Sequence, residues 1–202
     1  MTRYKPEHRE QTHDAILAAA SEILRERGFE GTGVAEVMKA VGLTHGGFYA
    51  HFSNKDALLV AALERAFVES PINFAKLAML ANKTGDVGVM AEKYLGDERV
   101  ADVASTCPSA ALVSEMHRQP EAVQSVFKQG SQATARAIAG VPGLAPDGAE
   151  EAWAVLAMFI GALSLMRAMP EKSTRTKIRS QVAGTLRRLA SGHVSPTKET
   201  AK

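Results

Sequence analysis

The stretch from Gly31 to Leu59, GTGVAEVMKAVGLTHGGFYAHFSNKDALL, leaves this chain few folds to choose from. It sets two short helical patterns and the start of a third around a three-residue corner, Gly42-Leu43-Thr44. Val34, Val37, Met38 and Val41 recur at helical spacing, so residues 34–41 predict a helix with one apolar face. Gly33 takes the N-cap position and Glu36 the third helical position, half a capping box in which the usual Ser or Thr is missing. Gly42 ends that helix and permits the tight turn, with Leu43 tucked beneath it. Thr44 then caps a helix over His45–Phe52. Within it Phe48 and Phe52, four apart, face a small core of Ile23, Val37, Val41 and Leu58, leaving His45, Gly46 and Tyr49 on the other side. Ser53-Asn54-Lys55-Asp56 has the S-x-x-[DE] form that opens a long helix, from Asn54 to about Glu69.

The rest of the chain reads as helix too, which makes the fold class all-α, with about nine helices. The first runs from Pro6, which suits an opening turn, to Arg27, with Gly28 as its left-handed stop. Arg3, Lys5 and Arg9 form a small basic arm at its start. Pro71 is expected to interrupt or kink the fourth helix. Further helices are expected over Asp86–Leu95, from Pro108 to His117 with Cys107 as cap, from Pro120 to Ala139, from Ala149 to Ala168 and from Glu171 to Ala190. The segment GVPGLAPDG, Gly140 to Gly148, is the clearest long loop.

No stretch reaches the roughly 20 uncharged apolar residues of a membrane span, so no membrane partner is expected. The opening residues lack the apolar run of a signal peptide, and a cytoplasmic location is expected. The one cysteine, Cys107, precludes an internal disulfide framework and fits a reducing compartment. Charge points away from the Gly31–Leu59 stretch. Residues 1–70 carry 8 Lys/Arg against 10 Asp/Glu, whereas residues 171–202 carry 8 against 2. A search by charge alone selects the C-terminus as a nucleic-acid site. We read that end as a solvated helix face with a disordered tail over residues 192–202.

A helix, a three-residue corner containing glycine and a second helix form the helix-turn-helix pattern, in which the second helix enters the DNA major groove. Two glycines inside that helix cost roughly 1 kcal/mol each relative to Ala, a cost that suits a surface brought close to backbone or base edges. Over about Ile16 to Leu63 the chain resembles the DNA-binding domain of the TetR family of transcriptional regulators. Phe29, Thr32, Gly42, the Phe48-Tyr49 pair, His51-Phe52, Lys55 and Leu58 carry the resemblance. It implies a homodimer with a DNA-binding domain at residues 1–52, an effector-binding and dimerisation domain at residues 53–191, and no enzymatic activity. The implied partners are a palindromic double-stranded operator and a small molecule that releases a repressor from it. The implied base readers are His45, Gly46 and Gly47, with Thr44 at the helix entrance. The implied phosphate contacts are Tyr49, His51 and Lys55, with Thr32 near the start of the second helix. Gly33 stands where the family commonly has Ser or Thr, so there only the backbone N–H is available.

A pocket in the effector half has Phe74, Met90, Tyr94, Val113, Met116, Phe127, Trp153 and Phe159 as candidate lining, methionine being an adaptable one. Cys107 joins them because a cysteine capping a helix is placed for reactivity, and some relatives sense electrophiles or oxidants through a cysteine in this region. This opens a second reading, a thiol-based sensing repressor. A reading of another class is a helical enzyme with Cys107 as nucleophile, although no partnered His–Asp arrangement is visible. No metal site and no cofactor are expected, since Cys107 and His117 are ten apart without a cluster. The last two helices are the expected dimer interface. Small residues Ala154, Ala157, Gly161, Ala162, Ser164 and Ala168 line one, and Ile178, Val182, Leu186 and Leu189 line the other.

Overall fold

The computed structural model describes residues 6–141, 144 and 149–192, with the side chains of residues 6, 7, 71 and 149–151 excepted. Most of the expected loop over residues 140–148, the tail over 193–202, and Arg3 and Lys5 of the basic arm lie outside the described residues. Among those residues there are nine α-helices: α1 (Pro6–Gly31), α2 (Val34–Ala40), α3 (Lys55–Thr84), α4 (Gly88–Tyr94), α5 (Asp97–Ala101), α6 (Pro108–Leu112), α7 (Glu121–Ala139), α8 (Ala149–Ala168) and α9 (Lys172–Ala190). Two 3-10 helices, His45–Ala50 and Val113–Arg118, complete them. The described residues contain no strand. No helix among them is long and apolar enough to cross a membrane.

Two compact units emerge, residues 1–71 with 101–133, and residues 72–100 with 134–202. The core of the first is built from Ile16, Ala20 and Leu24 of α1, Val37 and Met38 of α2, Phe48, Phe52, Leu58 and Leu63, with Leu112 and Met116 added from residues 108–118. The second buries Phe74, Met90, Tyr94, Leu95, Ile138, Phe159, Leu163, Met166 and Leu186.

Several local expectations change. The first helix kinks at Gly28 (φ 72°, ψ −176°) and resumes to Gly31. That conformation belongs almost solely to glycine. A Cβ at Gly28 would also lie 2.2 Å from a carboxylate oxygen of Glu115. The same carboxylate accepts the N–H of Phe29 (3.0 Å), a donor that the kink leaves without a helical partner. Helix α3 passes through Pro71 without interruption over 30 residues. Proline removes one backbone donor, and buried Phe67 and Phe74 anchor the turns on either side. The segment expected as one helix from Pro108 to His117 is a short α6 followed by a 3-10 turn.

Three cations of the basic C-terminal helix pair with carboxylates of the second unit. Arg187 places Nε 2.8 Å and Nη2 2.6 Å from the carboxylate of Asp86, and Nη2 also reaches Glu92 at 2.8 Å. A Cβ at Gly88 would sit 2.4 Å from that guanidinium, which packs over the bare backbone there. The Arg187 hydrogen bond holds the Asp86 carboxyl below the usual carboxylate range. Lys172 and Arg179 both pair with Asp97, and Arg175 donates to the carbonyls of Met169 and Pro170. These pairs add little stability, but they engage four of the eight cations that made the C-terminus look like a polyanion site.

Candidate nucleic-acid interface

Helix α2 ends in a Schellman motif. Leu43 N–H donates to Met38 O (2.9 Å) and Gly42 N–H to Lys39 O (3.1 Å), with Gly42 at φ 72°. The corner therefore forms as expected, except that Leu43 stays partly exposed rather than tucked under. At the other end of α2, Gly33 is the N-cap in extended conformation. Glu36 does not fold back on it but forms an ion pair with Arg27 of α1.

The helix after the corner is a 3-10 helix over His45–Ala50, not an α-helix to Phe52. Thr44 supplies only its carbonyl, which accepts from Gly47 N–H at 3.0 Å, and its side chain makes no cap. Without a side-chain cap, and with two glycines in the first turn, the α form has little to favour it. The chain then enters α3 through Asn54, not Ser53: Asn54 Oδ1 accepts Ala57 N–H at 2.8 Å.

Phe48 and Phe52 are buried and stacked, ring centroids 5.7 Å apart, anchoring one face. On the other, Thr44, His45, Gly46 and Ala50 are exposed, and Tyr49 is 67% exposed. Gly47 and Lys55 are half-buried. Neither Gly46 nor Gly47 has a positive φ. A Cβ would meet nothing nearer than Thr44 Oγ1 at 4.0 Å from Gly46, or Met38 Cε at 3.6 Å from Gly47. The fold has room for Ala at both positions.

Helix α1 holds this segment from its far end. Arg9 Nη2 donates to Ala50 O at 2.7 Å, and the His13 ring stacks on Phe52 at 4.8 Å, with His51 5.8 Å away. Desolvation, then His13 and then Arg9, lower the pKa of His51 below the ordinary histidine value. Arg9 stood in the basic arm of the sequence, but nothing there tied it to residue 50, and His13 carried no signal. Thr32 lies inside, 1% exposed, its hydroxyl donating to Gly28 O at 2.7 Å. Its side chain thus ties the α1 kink to the start of α2.

The candidate effector residues divide between the units. Phe74, Tyr94 and Phe159 meet ring to ring at 5.0–5.6 Å, with Met90 buried in the same unit. Trp153, also in that unit, is exposed. Cys107, Met116, Phe127 and Val113 belong to the other unit, where Phe127 packs edge-on to Phe67 and Val113 is exposed. Cys107 is buried, and its sulfur accepts a hydrogen bond from Ser70 Oγ at 3.1 Å. Among the described residues no cluster of three His, Cys, Asp or Glu side chains is arranged to hold a metal ion.

A capped corner between two short helices, the second turning an uncharged, glycine-bearing face outward, defines a helix-turn-helix protein. Residues 16–62 match the family model of the bacterial regulatory proteins of the tetR family. Over these residues the chain is similar to the DNA-binding domain of that family. Over 56 residues it is 38% identical to the HTH-type transcriptional repressor NemR of Escherichia coli strain K12, covering 28% of each chain. Over 95 residues it is 30% identical to the HTH-type transcriptional regulator TtgR of Pseudomonas putida, covering 47% of this chain and 45% of TtgR. These matches thus span less than half of either curated relative. The fold likeness extends further. The crystal structure of reduced E. coli NemR superposes with a TM-score of 0.70 at 20% identity, over 88% of this chain and 96% of that one. A TetR-family regulator from Cytophaga hutchinsonii gives 0.73 at 17% identity, over 93% and 97%.

Proposed function

We propose that the protein is a dimeric DNA-binding transcriptional repressor that leaves a palindromic operator when a small molecule binds. The observation that carries this reading is the face of His45–Ala50, where an exposed Gly46 and a half-buried Gly47 stand although the fold itself does not require glycine at either position. An external surface that must come close supplies the missing reason. Residues 1–52 serve as the DNA-binding head, and residues 53–191 as the effector and dimer part. His45 reads bases directly, with the bare Gly46 and Gly47 allowing approach and Thr44 at the entrance. Tyr49, His51, Lys55 and the Gly33 N–H hold phosphates, and Thr32 fixes the start of α2 beside them. Local net charge is not needed for this, because hydroxyls and helix N-termini bind phosphate without it.

The dimer surface is the outer side of α8. Ala154, Ala157, Gly161, Ser164 and Ala168 are exposed there, Leu165 is 54% exposed, and a Cβ at Gly161 would meet nothing within 4 Å. Small residues allow a second helix to approach closely. Helix α9 contributes less than its apolar spacing promised, because Val182 and Leu186 are buried within their own unit. The test is a mobility shift on DNA immediately upstream of the coding region. Salt-dependent, sequence-selective binding as a dimer supports the reading, and absence of binding to any DNA at low salt overturns it.

A second reading makes Cys107 the sensor. The Ser70 bond to its sulfur supports it, as does a fold shared with a protein crystallised in a reduced form. A Cys107→Ser variant that still releases DNA on exposure to an electrophile removes this reading.

A further inference from the structure

The buried polar side chains of the first unit are mostly partnered. Thr32 bonds Gly28 O, Ser70 bonds Cys107, and the hydroxyls of Ser109 and Ser131 lie 2.9 Å apart. Arg25, on α1, differs. It is 8% exposed, and its Nε has no hydrogen-bond partner. Among the described residues no carboxylate comes within ion-pair distance of its guanidinium. Glu69, Glu22 and Asp102 act on it electrostatically, as does Cys107, but all three acids are on exposed side chains. The Asp102 carboxylate is already taken up by the N–H and hydroxyl of Ser105. Desolvation outweighs these acids and holds the Arg25 guanidinium below its ordinary value.

A buried arginine stays charged, and a buried charge without a partner is costly to keep. We propose that Arg25 anchors a ligand site in the first unit for a small monocarboxylate. The planar guanidinium fork matches a carboxylate in two parallel hydrogen bonds. One cation cannot offset the desolvation of a second ligand charge, which excludes phosphate and other dianions. As an account of the effector, the site rests on the regulator reading above; as a binding site, it does not.

Thermal melting of the full chain tests it, using acetate and benzoate as probes and acetamide and benzamide as their neutral counterparts. At least one carboxylate is expected to raise the melting temperature saturably, while its amide does not. In Arg25→Met that shift disappears, and in Arg25→Lys, which keeps the charge but loses the fork, affinity falls at least tenfold. The unliganded Arg25→Met protein is expected to melt no lower than the wild type, because an unpaired buried charge has been removed. No saturable shift with either carboxylate, equal shifts with the amides, or a shift surviving in Arg25→Met each overturns the site. A much lower melting point for unliganded Arg25→Met assigns Arg25 a structural role and overturns it as well. Carboxylate binding that leaves the DNA complex intact supports the site and overturns only its link to release.

Discussion

Replacing Gly46 with Ala separates what the fold requires from what a docked partner requires. In a helical segment the exchange stabilises by roughly 0.5–1 kcal/mol, because Ala has less conformational freedom to lose. Nothing in the protein opposes it: the new Cβ meets only Thr44 Oγ1, at 4.0 Å, and the backbone φ is not positive. For a chain of this length that gain raises the melting temperature by roughly 2–4 °C at most. On DNA the sign reverses. If this face docks against base edges, an added methyl overpacks a fitted interface at about 1–3 kcal/mol. That corresponds to roughly 5- to 150-fold weaker operator binding. Calorimetric melting gives the first quantity, and fluorescence anisotropy on operator DNA gives the second. A variant that melts higher and binds operator with unchanged affinity refutes the reasoning. The glycine pair would then be a frayed turn without function.

Four further outcomes are expected. His45→Ala should relax operator specificity, while Tyr49→Phe and Lys55→Ala should weaken binding about equally on all sequences; anisotropy on operator and scrambled DNA distinguishes them. Operator affinity should rise as pH falls from about 7 to about 5.5. His51 is held below its ordinary value in the free protein by desolvation, His13 and Arg9, and a phosphate beside it favours the protonated form, so binding takes up a proton. His51→Gln should flatten that dependence. In the free protein the same depression acts the opposite way. The unfolded chain binds the proton more readily, so the contribution of His51 to stability is present above the ordinary histidine value and is lost as pH falls below it; urea titrations across the window check the sign. Glu115→Ala leaves Phe29 N–H without its partner at the Gly28 kink and should cost about 1–3 kcal/mol in urea unfolding, with m unchanged.

Much of the head was legible in the sequence. Gly42 is the C′ residue of a Schellman turn, and Phe48 and Phe52 are its buried anchors, because glycine at a helix end and apolar residues four apart act locally. Cap chemistry was legible in outline but not in detail. Glu36 had a choice between the Gly33 N–H and Arg27, and only the approach of α1 to α2 decided for Arg27. The Pro71 break failed for a related reason. A single missing donor is a local cost, and the burial of Phe67 and Phe74 on either side is not visible at that position. Arg9 on Ala50 and Glu115 on Phe29 join residues 41 and 86 apart, and no periodicity encodes such pairs.

The amino-acid order by itself determined the all-α class, the corner at residues 42–44 and the two-faced segment that follows, since helical period, glycine and capping residues act over a few positions. The tertiary structure alone decided that residues 101–133 pack with the N-terminal unit, that Lys172, Arg179 and Arg187 pair with Asp86, Glu92 and Asp97, and that Arg25 is buried with its Nε unbonded. Each depends on burial and on charges meeting across long stretches of chain, quantities that exist only once the chain has closed on itself.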